Sequence, residues 1–99
     1  MARYPPEFAG TPLGRAFEHL RARSVREARE TATNAHDLAL ACDDEAVAAW
    51  AALALARADY EDAAFASSIR RSLDVQARAE ALDDARLGVE AALALGSGF

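Results

Sequence analysis

Cys42, His19, His36 and sixteen carboxylates are the side chains of this 99-residue chain that could carry chemistry. A di-iron or similar bundle site uses Glu-x-x-His, which sets two ligands on one helical face. The residues three before His19 and His36 are Ala16 and Thr33, so neither completes that pair. His36 and Cys42 stand six apart, about 120° around a helix, and cannot share a metal within one helix. Cys42 has no base beside it and is followed by Asp43 and Asp44, the reverse of the electropositive setting that activates a thiolate. Ser67-Ser68 lies inside a helical stretch with no partner in the sequence. The five glycines, at 10, 14, 88, 96 and 98, have no phosphate-loop spacing. No catalytic, cofactor-binding or metal-binding residue is assigned, and the expectation leans away from an enzyme.

Composition narrows the remaining classes. The net charge of −5 is unlike the basic surface of a general nucleic-acid binder, so nucleic acid is not expected as a partner. The charge is unevenly spread: residues 1–30 hold six Arg and four Glu, whereas residues 31–99 hold five Arg and twelve acids. All eleven basic residues are Arg, which we read as codon usage in a GC-rich bacterial genome. A single cysteine excludes an intrachain disulfide and suits a reducing compartment. The N-terminus lacks the apolar core of a signal peptide, and the longest uncharged run, Ala46–Ala56, is about half a membrane span. A soluble, cytoplasmic protein with no membrane partner is expected.

Helices must position whatever function these side chains have. Pro5-Pro6 and Gly10 predict an extended arm over residues 1–11, and Thr11-Pro12 reads as an N-cap followed by a first helical residue. No Gly or Pro occurs between Arg15 and Leu87. Turns must therefore be read from caps: Ser24 with Glu27, Asp43-Asp44, Asp59 with Asp62, and Asp83-Asp84, with Gly96 ending the last helix. Alanine dominates and β-branched residues are sparse, which favours helix. Three-four spacing marks apolar faces at Val25, Ala28, Ala32, Ala35, Ala39 and Cys42, and at Val47, Trp50, and Leu53 or Ala54. Further faces follow at Phe65, Ile69 and Ser72 or Leu73, then at Leu82, Ala85, Val89, Ala92 and Leu93. The expected class is all-α: a small bundle of three to five helices or helical hairpins with Ala-rich seams. It occupies residues 12–96 as a single domain, with a tail at 97–99. Trp50, Leu53, Phe65 and Ile69 are the expected core anchors, and Cys42 a space-filling seam residue.

Trp50 and Leu53, with Ala54 at the following small-residue position, have the spacing that opens a tetratricopeptide hairpin. "DYEDA" (59–63) resembles the start of its second helix, about three residues early, and Arg57 stands where that family places Tyr. "LDDARLGVEAALAL" (82–95) resembles such a repeat again, 22 residues further on when counted from Ala63 to Ala85. Over residues 32–96 the chain thus resembles the degenerate tetratricopeptide-like helical repeats of GC-rich bacteria. What the resemblance implies is a stack of helical hairpins that binds other proteins.

Two surface features bear on partners. Arg23, Arg26 and Arg29, with Arg15 and Arg21 near them, could grip an acidic partner or phosphates, or form a solvated face interleaved with Glu18, Glu27 and Glu30. An Ala-rich core is thin, and leucines such as Leu38, Leu40, Leu55 and Leu87 are expected to stay exposed until a second copy covers them. The function expected is a non-enzymatic protein-protein interaction or self-assembly module, with a protein partner or a homo-oligomer, a dimer first. The alternatives are an acidic helical inhibitor or nucleic-acid mimic using the carboxylates of 37–62 and 74–90, and a small all-α enzyme or ligand carrier.

Overall fold

The computed structural model describes residues 4–98, and side chains as far as residue 96. Its five α-helices are α1 (Pro12–Arg21), α2 (Val25–Ala41), α3 (Glu45–Glu61), α4 (Phe65–Ala81) and α5 (Ala85–Gly98), after a 3-10 turn at Pro6–Phe8. No strand occurs among the described residues, so the all-α class stands. No helix among them is long and apolar enough to cross a membrane.

Consecutive helices are joined by three-residue connectors that follow one pattern. The central residue of each, Arg23, Asp43, Ala63 or Asp83, has a positive φ of 53–65°, and these four lie 20 residues apart. In every connector the next amide donates back five residues: Ser24 to the His19 carbonyl, Asp44 to Ala39, Ala64 to Asp59 and Asp84 to Ala79, at 2.8–2.9 Å. Each also has the inner bond from the positive-φ residue, such as Ala63 N–H to the Tyr60 carbonyl at 3.0 Å. This is the Schellman closure, in which a left-handed residue satisfies the last carbonyls of a helix. Its usual glycine is absent, so hydrogen bonding and the packing of both flanking helices hold four Cβ-bearing residues in a costly region. The closing residue doubles as N-cap of the next helix, and Asp44 Oδ1 accepts from Val47 N at 3.1 Å.

The breaks expected at Ser24, Asp43-Asp44 and Asp83-Asp84 are the observed ones, although Ser24 makes no side-chain cap bond. Asp59 is not a helix start: α3 runs through it to Glu61. Gly96 does not end the last helix, because α5 continues to Gly98. The tail placed at 97–99 therefore begins inside a helix, and residue 99 lies outside the described residues. The arm is not extended throughout either. Residues 1–3 lie outside the described part, and the remainder folds back through the 3-10 turn onto α1. Gly14 permits this approach, since a Cβ there would collide with the Phe8 carbonyl.

Helix α3 touches all four other helices, whereas α1 and α5 do not touch one another. Helices α2 and α4 each pack on α3 without touching one another. Eleven of the seventeen residues of α3 are buried, among them Ala48, Ala49, Trp50 and every residue from Ala51 to Ala56. A helix apolar all round belongs in a core. Its neighbours give it narrow seams: Ala28, Ala32, Ala35 and Ala39 from α2, and Ser68, Ser72, Val75 and Ala79 from α4. Those two seams are the same positions shifted by 40 residues. The pentapeptide Ala-Ala-Leu-Ala-Leu recurs with the same shift, at 51–55 and 91–95, as does Asp-Asp at 43–44 and 83–84. The chain is thus a helical-hairpin stack with a 40-residue internal repeat.

The connector geometry is testable at Ala63, which is exposed and has φ 60°. Ala63→Gly relieves the left-handed strain and should raise stability by about 0.5–1 kcal/mol in urea unfolding, after the added chain entropy is offset.

Candidate functional site

The groups that could carry chemistry do not converge. Cys42 is exposed at the C-cap of α2, so the seam position expected for it is wrong: the connector turns the chain before the next seam site. His19 and His36 are half-buried on α1 and α2. Among the described residues no three of His, Cys, Asp and Glu are grouped to hold a metal ion. Ser68 does have a partner: its buried hydroxyl donates to the Ala56 carbonyl of α3 at 2.9 Å. Ser72 is fully buried and its hydroxyl has no hydrogen-bond partner in the structure, at the place its 40-residue equivalent fills with Ala32.

The arginines of the first helices are engaged within the chain. Arg23 reaches Glu61 at 3.1 Å and Arg26 reaches Glu30 at 3.6 Å, both on exposed surface. Arg29 forks between Asp59 and Asp62, 2.8 Å from each. These hydrogen bonds, Asp62 first and then Asp59, hold the Arg29 guanidinium pKa above its ordinary value. Asp59 is 4% exposed, and its second oxygen lies 2.8 Å from Arg71 Nε of α4. The Nε–H is poorly aimed, leaving that oxygen without a well-formed hydrogen bond, so this contact is chiefly Coulombic. Asp59 thereby clamps α2, α3 and α4 together. The sequence reading missed it by treating the acid as a cap. The available signal was an acid on the same stripe as Ala48, Ala52, Leu55 and Ala56, where only a paired carboxylate is tolerated.

Trp50 is the hub of the aromatic residues. It is 1% exposed, and its Nε1–H donates to Asp84 Oδ2 at 3.2 Å. The other oxygen of Asp84 accepts from Leu87 N at 3.0 Å and caps α5. Phe8 and Phe17 meet the indole edgewise at 6.3 and 6.2 Å, and Tyr4 stacks on Phe17 at 5.3 Å. The Tyr4 hydroxyl donates to Glu18 at 2.9 Å, and Arg86 donates to the Tyr4 carbonyl. The arm is thus a strap over α1 and α3 that reaches α5. The bond to Glu18, and then burial, raise the Tyr4 phenol pKa above 10.0. Leu53 is fully buried beside Trp50 in the core cluster. Phe65 is not a core anchor: it opens α4, is 47% exposed and leans on Tyr60, 5.4 Å between centroids. Ile69 is only half-buried, because the inner stripe of α4 passes through Ser68 and Ser72 instead.

The face read for α5 is likewise displaced. Leu87, Ala91 and Ala94 are buried, whereas Ala85, Val89, Ala92 and Leu93 are exposed. Leu55 and Leu87, expected at the surface, lie in the core; Leu38 and Leu40 are exposed as expected. Beside the exposed face of α5, an open groove of about 290 Å3 runs between α4 and α5, lined in part by Gln76, Glu80, Asp83 and Gly88. This apolar helix face with its groove is the best candidate surface in the described chain.

Two expectations follow from the aromatic hub. Trp50→Ala should cost about 3–5 kcal/mol in urea unfolding, as large-to-small changes in a core do. Asp84→Ala, which strips both a cap and the indole's partner, should cost about 1–2 kcal/mol. The second expectation concerns pH. The raised Tyr4 pKa means that the phenol's contribution is complete below pH 10 and is lost as pH rises through the folded value. The stability gap between the wild type and Tyr4→Phe should therefore be constant from pH 7 to 9 and should narrow above pH 10.

Comparison with protein-family models, with curated proteins and with solved structures finds no match to this chain.

Proposed function

We propose that the protein is a non-enzymatic interaction module: a short stack of helical hairpins that docks helical surfaces of a protein partner or of its own kind. The observation that carries this reading is how its polar and apolar groups are divided. Asp59, Asp62, Arg29, Arg71, Glu90 and Asp84 are spent on holding helices together. Meanwhile Leu38, Leu40, Leu73, Val89 and Leu93 stand more than half exposed. A small domain that ties these charges between its helices and still leaves five large apolar side chains exposed has surface suited to association by buried area. The resemblance to tetratricopeptide-like repeats belongs to this proposal at the level of the hairpin, although the internal spacing is 40 residues rather than 34. A bacterial, cytoplasmic setting belongs to it as well.

Salt discriminates this reading from acidic mimicry. A partner captured by the tagged full chain from a bacterial lysate should stay bound between 0.1 and about 1 M NaCl, where the Debye length shrinks to about 3 Å. A complex that dissociates steeply over that range points instead to the carboxylates as the binding groups.

A further inference from the structure

We infer that the seat filled by the N-terminal arm is a binding site for an extended, proline-containing segment of a partner protein with two aromatic anchors, and that the arm occupies it in cis as an autoinhibitory strap. This surface is additional to the apolar face on which the interaction-module reading rests, and its occupant is extended rather than helical.

The seat is built by the helices. Both α1 and α5 pack on α3 without touching one another, and Tyr4 of the arm lies where it reaches Glu18 of α1 and Arg86 of α5 together. The floor is Phe17 of α1 and Trp50 of α3, edge to face at 6.2 Å. The internal repeat does not require these rings. Forty residues on, their equivalents are Arg57 and Glu90, which meet as an ion pair at 2.6 Å. Two contacting side chains therefore suffice at this place, and only between α1 and α3 are they aromatic. Gly14 is a second departure. Glycine is a poor residue within a helix, yet it stands in the first turn of α1, where a Cβ would strike the Phe8 carbonyl of the arm. Its equivalent in α3 is Ala54, which carries that Cβ without penalty. Both departures serve the arm and nothing else in the stack.

The arm docks as a ligand does. Pro5 (φ −58°, ψ 137°) and Ala9 (φ −57°, ψ 132°) have polyproline geometry on either side of the 3-10 turn, so little chain freedom is lost on docking. Tyr4 stacks on Phe17 and Phe8 meets Trp50 edgewise, whereas Pro6, Glu7, Ala9 and Gly10 are exposed. At the rim, Glu18 accepts from the phenol hydroxyl at 2.9 Å and Arg86 donates to the main-chain carbonyl of Tyr4 at 3.3 Å. Two rings four residues apart, a stiff backbone between them and one exposed carbonyl define the class of segment that fits. The backbone of the 3-10 turn approaches α1 alone, and Gly10, at φ 81°, leads from it into that helix. Release of the strap thus breaks few contacts. A segment on so short a tether has an effective concentration of about 1 mM. With a free segment binding at about 0.1 mM, the seat is about nine-tenths filled in cis, and its apparent affinity for a second segment falls about tenfold.

Fluorescence titration with a synthetic peptide of residues 2–10 tests the site, in the full chain carrying Tyr4→Ala and Phe8→Ala so that its own arm cannot fill the seat. The peptide holds no Trp, so Trp50 alone reports. Its emission in this variant should be red-shifted from the wild type and should return toward the wild-type position as peptide binds, with a Kd of about 0.1 mM. The wild type should bind the same peptide about tenfold more weakly. Adding Gly14→Ala, which suits α1 but obstructs the Phe8 carbonyl, should abolish binding, as should replacing the peptide's Tyr and Phe by Ala. A folded double variant that does not respond to about 1 mM peptide, or that binds regardless of Gly14→Ala, overturns the site. Hydrogen exchange of the wild type decides the matter even where the double variant fails to fold. The Phe8, Ala9 and Thr11 amides should exchange at least about a hundredfold faster than those of Ala51–Ala56 in α3, through opening of the strap alone. Equal rates would mean that the arm leaves only on global unfolding, and would overturn the strap. Neither failure touches the salt test of the interaction-module reading, so the two fail separately.

Discussion

The rest of the structure depends on α3 being surrounded. A helix can be enclosed by four others only if the side chains between the axes are small, and here they are almost all alanine. Alanine removes little area from water, so each contact contributes little at about 25 cal/mol per Å2. Compensation comes from close approach along whole seams and from a few large anchors, of which Leu13, Trp50, Leu53 and Leu87 are almost wholly buried. Enlarging any inward alanine would force helices apart, and overpacking of this kind costs as much as a cavity does. The same geometry explains why the arm matters. On the side where Trp50 projects, Phe17 of α1 is joined by Tyr4 and Phe8 of the arm in gathering around the indole.

Polar groups follow from this enclosure. A buried carboxylate such as Asp59 is tolerable only with its charge matched, and Arg29 and Arg71 approach it from the helices on either side. Arg57 and Glu90 tie α3 to α5 in the same manner, at 2.6 Å. The connectors obey a related economy. With three residues to reverse direction, one residue must be left-handed and the next must cap, so the closing residue of one helix is the opening residue of the next.

The two ends of the stack differ in kind. The end at α1 is charged and strapped, whereas the end at α5 is apolar and open. In a repeated architecture each hairpin buries its apolar flank on its neighbour. Among the described residues the outer flank of α5 is exposed, and the pentapeptide of α3 is repeated in it although its surroundings are not. The binding style proposed for the protein is therefore a consequence of the repeat.

Helical class, Thr11 as a cap and the breaks at Ser24, Asp43-Asp44 and Asp83-Asp84 were legible in the sequence, because propensity, capping and three-four periodicity act over a few residues. The break after Asp62 was not. Ala63-Ala64 carries no turn chemistry, and its left-handed residue is held by the packing of α3 on α4. The 40-residue period was written in the repeated Ala-Ala-Leu-Ala-Leu and Asp-Asp, but it becomes plain only when the connectors bring the helices into equivalent places. Periodicity could not choose the inner face of α4 or α5, since Phe65, Val89 and Leu93 suit a core as well as Ser68, Ser72 and Ala91 do. Tertiary packing chose the smaller residues, because helices this close have no room for larger ones. Partnership was also decided in three dimensions: Asp59 meets Arg29 and Arg71, and Trp50 meets Asp84, across separations that no local rule spans.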